Sequence, residues 1–131
     1  MKKKELAAVM MAAEYMADIM RKTEPDVVYA YDNLYYFEVP DKNIPGIKKL
    51  AKAMNVPEMF KILSDIDKDE QKRVCGFMAP IFTFDGSDVY DGGEQMFELF
   101  VKLCGYQPMS LDDAIELWDE QDGIPIEVDI E

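Results

Sequence analysis

The chain has 131 residues, 49% of them apolar, with seven Tyr, seven Phe and one Trp. That is enough to bury a core, and it excludes intrinsic disorder and any need for a stapled mini-fold. It carries 27 acids against 14 bases and no histidine, a net charge of −13. This argues against direct nucleic-acid binding, and against Ser-His-Asp, Cys-His and the usual zinc chemistries.

The surplus is segregated. Residues 1–73 hold 13 Lys/Arg and 13 Asp/Glu, whereas 74–131 hold 14 acids and one base, Lys102. We expect one domain over 1–131, balanced in its first part and strongly acidic in its second. A segregated surplus makes a lasting negative field on part of the surface.

In chain order, Leu6, Val9, Met10, Ala13, Met16, Ala17 and Met20 recur at threes and fours, which predicts a helix over 4–22. Pro25 follows its end. The basic, apolar opening briefly resembles a signal peptide, but Glu14 and Asp18 interrupt it, and no stretch has the length of a membrane span. A cytoplasmic protein is expected. Residues 26–39 are rich in Val, Tyr and Phe, and predict a β-hairpin with strands near 27–31 and 34–38 turning at Asp32-Asn33. Two short helices follow, 45–54 and 57–65, with Pro45 and Pro57 in their first turns. Residues 65–73 read as a charged connection, and 74–84 as an irregular strand containing Gly76 and Pro80.

Residues 85–94 read as a turn-rich loop. An apolar helix is expected over 93–104, ended by Gly105, and another over 111–120, started by Ser110. Asp91 is expected to cap the first of these. Asp122-Gly123 makes a turn, and the alternation of Ile124, Ile126, Val128 and Ile130 predicts a strand over 124–130. The whole predicts an α+β fold: an N-terminal helix, a β-hairpin, a helical middle, C-terminal helices and a final strand completing a small sheet.

Three features carry functional expectations. The first is the acidic end: Asp112, Glu116, Asp119 and Glu120 on the wet side of the last helix, Asp122 in the turn, and Glu127 and Asp129 on the wet side of the last strand, with Glu131 continuing the row. Carboxylates two apart in a strand lie about 6.6–6.8 Å apart, a pitch able to imitate a nucleic-acid backbone. The expected partner is a basic protein that itself binds nucleic acid, and a phage-type inhibitor mimicking nucleic acid is the concrete version. The second is the loop acids Asp85, Asp88, Asp91 and Glu94, a candidate site for Ca²⁺ or Mg²⁺. EF-hand register fails there, because Val89 and Met96 fall at ligand positions. The third is an aromatic hairpin (Tyr29, Tyr31, Tyr35, Tyr36, Phe37) and a Met-rich first helix, either of which would suit an assembly protein.

No phosphate loop, nucleophile elbow or dinucleotide fingerprint occurs, so a non-enzymatic role is expected. Cys75 and Cys104 lie in apolar surroundings and read as small core residues in a reducing compartment.

Overall fold

The computed structural model describes residues 1–20, 37–84, 88–89, 91–121 and 124–129. Helix α1 spans Lys3–Ile19. It is buried on nearly every side, from Leu6 to Ala17. Its alanines (Ala7, Ala8, Ala12, Ala13, Ala17) give neighbours a close approach, while Met10 and Met16 fill the core. Met11 and Met20 are partly buried and also pack against that core.

Helices α2 (Ile44–Ala53) and α3 (Val56–Ser64) lie against α1. Both carry proline in the first turn, as the sequence predicts. Asn55 caps α3, its side chain accepting the Glu58 N–H at 2.9 Å. Each helix turns two residues fully inward: Ile47 and Ala51 from α2, Met59 and Leu63 from α3.

The expectation for 65–84 is corrected. Helix α4 spans Lys68–Met78, and a 3-10 turn, Ala79–Phe82, continues it. Asp67 caps α4 by accepting the Asp69 N–H, and Asp69 and Glu70 sit at its positive end. The apolar stretch from Val74 to Met78 is buried all round, so it lost the one-sided periodicity that marks a helix. Gly76 is a packing site and not a strand irregularity. A Cβ there would stand 3.2 Å from the Trp118 backbone nitrogen and 3.3 Å from the Leu117 Cβ. Only β2 (Thr83–Phe84) is extended, and it pairs antiparallel with β3 (Asp88–Val89) inside the expected loop.

Helix α5 spans Gly93–Leu103 and α6 spans Leu111–Glu120. The cap of α5 is Gly92, in the left-handed region at φ 75°, and not Asp91, whose side chain makes no cap bond. Ser110 caps α6 as expected, accepting the Asp113 N–H at 3.1 Å. Gly105 ends α5 at φ 73°. The Gly105 N–H donates to Lys102 O and the Tyr106 N–H to Val101 O, the two bonds of a Schellman turn.

Strand β1 (Phe37–Glu38) pairs parallel with β4 (Ile126–Glu127). The described end of the expected hairpin therefore lies beside the C-terminal strand, while 27–36 fall outside the described residues. Alternation begins at Ile126, because Ile124 is 57% exposed. Phe37 meets the Phe77 ring edge-on at 5.0 Å, and Phe77 lies 6.2 Å from Trp118. This file of rings joins the sheet, α4 and α6. The fold is α+β, dominated by helices, with two small sheets among the described residues. No helix among them is long and apolar enough to cross a membrane.

Candidate functional site

The charged face of α6 follows from its period. Leu111 and Ala114 are buried and Trp118 packs against the core, which turns Asp112, Asp113, Glu116, Asp119 and Glu120 outward. From Asp112 to Glu120 the row runs about 12 Å along the helix. Its two ends differ in physical meaning. Asp112 and Asp113 sit at the positive end of the helix dipole, where they stabilise it. Asp119 and Glu120 sit in the last turn, which holds no basic residue, so they face the negative end.

The parallel pair has the same character. Phe37 opposes Ile126 and both are buried; Glu38 opposes Glu127 and both are exposed. Adjacent strands lie about 4.8 Å apart, so two acidic side chains leave the sheet at neighbouring points on the wet face. Like charges directly opposite destabilise a sheet. Asp129 is exposed two residues further on and bridges in parallel to Lys2.

Asp129 also borders a shallow depression of about 330 Å³ with Glu5, Asp65, Asp67 and Glu70. Three of those acids have local work. Glu5 accepts the Lys2 N–H at 2.8 Å, Asp67 caps α4, and Glu70 pairs with the Met1 amino group at 2.9 Å. Reading the sequence alone missed these acids and Glu38, because they belong to the charge-balanced part. Glu38 carried a signal, its alternation with Phe37, but no sequence pattern showed β4 as its neighbour.

Of the residues expected to bind a partner, Asp112, Glu116, Asp119, Glu120, Glu127 and Asp129 are exposed on α6 and on the C-terminal strand. Asp122 and Glu131 lie outside the described residues. In the loop, Asp91 and Glu94 are exposed, Asp88 is in β3 and Asp85 is not described. Among the described residues no three potential ligands gather where they could hold a metal ion.

A cleft of about 690 Å³ opens between the end of α5 and the start of α6. Its wall holds Val101, Tyr106 and Met109, with Glu98, Lys102 and Asp113 at the polar edge. Tyr106 is fixed there by the Schellman turn and by its hydroxyl, which donates to Leu63 O at 2.6 Å. Burial pushes the Tyr106 hydroxyl pKa well up. The Cys75 thiol is likewise raised by burial, to about 12, and Cys104 is raised by burial and then by the nearby Cys75. Both cysteines are free and buried, as expected, and thiols so placed are poor nucleophiles at neutral pH.

No known protein family matches the sequence, and no curated protein is significantly similar to it. The chain is similar in structure to a crystallised protein of unknown function from Porphyromonas gingivalis W83. The two share 19% identity with a TM-score of 0.77, over 94% of this chain and 91% of that one. The likeness shows a shared fold.

Proposed function

We propose that the protein is a non-enzymatic interaction protein whose acidic face, made by α6 and the β1–β4 pair, binds a basic protein surface. One observation carries the reading: acids occupy positions where the fold gives their charge no favourable partner. Glu38 and Glu127 oppose each other in register, and Asp119 and Glu120 crowd the negative end of α6. Charge kept only for solubility has no reason to sit at such positions, since any exposed site would serve. A partner bearing Lys and Arg would supply the opposite charge that these positions lack, which favours affinity and partner choice. The expected target is a nucleic-acid-binding protein, the phage-type mimic being the concrete form.

The test uses the wild-type chain and the variant Glu38→Gln/Asp119→Asn/Glu120→Gln/Glu127→Gln as baits in native lysate. The wild type should retain basic proteins that elute between about 0.1 and 0.5 M salt, where screening shortens the field. The purified partner should lose its DNA or RNA in a gel shift when wild type is added, and keep it when the variant is added. Equal capture and equal competition by both baits would defeat the proposal.

A further inference from the structure

We infer that the cleft beside Tyr106 is an anchor pocket for a basic-flanked apolar side chain, one presented in an Arg/Lys-apolar-Arg/Lys segment of the partner. The inference rests on the proposed acidic interface and adds a specific point of contact to it.

The cleft is walled by apolar groups and edged by charge. Pro108 and Met109 offer apolar surface for one aliphatic or aromatic side chain, over a floor of the nearly buried Val101 and Tyr106. Glu98 on α5 and Asp113 on α6 stand at its edge, two carboxylates against one ammonium, Lys102. Asp113 also belongs to the acidic row of α6, so the cleft is continuous with the proposed interface. Interfaces draw most of their energy from a few anchors seated in such pockets, with charged neighbours setting orientation. About 690 Å³ is ample for one side chain and its flanking backbone.

The far side of the Pro108-Met109 ridge supplies the contrast. A second cleft there, about 550 Å³, shares Tyr106 and Met109 but is edged by Lys68 and Lys72 against Asp69. Charge therefore sorts the two sides of one apolar ridge. A cationic segment fits the α5–α6 side and is repelled from the α4 side.

The pocket is also preformed. The Schellman turn at Gly105, the Tyr106–Leu63 bond and the Ser110 cap tie its rim at three points. An occupant would spend little of its affinity on ordering the loop.

The experiment is an NMR titration of the full chain with two peptides, acetyl-Arg-Leu-Arg-amide and acetyl-Glu-Leu-Glu-amide. The basic peptide should give saturable shifts at Val101, Tyr106, Met109 and Asp113, and the acidic one should not. Glu98→Gln should weaken binding about 2–4-fold, and Lys102→Gln should tighten it about 2–3-fold, the range of exposed ion pairs. Both substitutions are at exposed positions and leave the core intact.

Shifts confined to Glu116, Asp119, Glu120 and Glu127 would overturn the pocket and leave the acidic interface standing. No shift anywhere with the basic peptide would count against both. Equal shifts from both peptides at the cleft would show apolar contact without charge selection and overturn the inference.

Discussion

The charge placement predicts a pair of opposite stability changes. In the variant Glu38→Gln/Asp119→Asn/Glu120→Gln/Glu127→Gln, two local repulsions disappear. Glu38 and Glu127 are directly opposed. With carboxylates about 6 Å apart in water, their repulsion is about 0.7 kcal/mol before screening. Asp119 and Glu120 each oppose the end of the α6 dipole by about 0.5 kcal/mol. Together the variant should gain about 1.5 kcal/mol, or about 4–7 °C in melting temperature for a chain of this size. The control is Asp112→Asn/Asp113→Asn, which removes favourable charge from the other end of the same helix. It should lose about 1 kcal/mol and melt about 4 °C lower.

The assay is thermal unfolding by circular dichroism at 0.01 M and 0.5 M salt. The gap between the two variants should shrink at high salt, because a Debye length falling from about 30 Å to a few ångströms screens exposed charges. If both variants melt higher than wild type, diffuse repulsion across a chain of net charge −13 outweighs local placement. If neither moves, the placements carry no cost. Either result would refute the reasoning behind the proposed function.

Other expectations follow from the core. Gly76→Val forces branched carbons against the Leu117–Trp118 backbone and should cost about 2–3 kcal/mol, read from the urea midpoint. Phe77→Ala removes the ring between Phe37 and Trp118, and should cost about 3–5 kcal/mol and red-shift the fluorescence of the single tryptophan. Ser110→Ala should cost about 1 kcal/mol, because the Asp113 N–H loses its acceptor. Alkaline pH should destabilise the fold through the two thiols. Their folded values lie above the unfolded one, with Cys75 at about 12, so the unfolded chain loses its protons first. Stability is then intact below about pH 8.5 and falls by about 1.4 kcal/mol per pH unit for each thiol above it. Cys75→Ala should remove one thiol's share of that slope in urea titrations between pH 7 and 10.

Much of the fold was written locally. α2, α3, α5 and α6 announced themselves by one-sided periodicity and by punctuation at Pro45, Pro57, Gly105 and Ser110, and α1 by the length of its apolar, alanine- and methionine-rich run, because these are effects of neighbours within a turn or two. The acidic row of α6 was legible for the same reason: a helix that buries Leu111 and Ala114 must expose the acids between them. Segment 68–82 was misread because residues 68–73 are polar throughout and 74–78 are buried on all sides, so neither half carries the pattern that one-sided burial writes. There Gly76 looked like a breaker until the backbone of α6 stood beside it. Tertiary pairing alone set Glu38 opposite Glu127, brought Glu5, Asp65 and Glu70 next to Asp129, and gave the ridge at Pro108-Met109 clefts of opposite charge. Partners distant in the chain leave no periodicity in it, since their proximity comes from the packing of whole elements and not from any local preference.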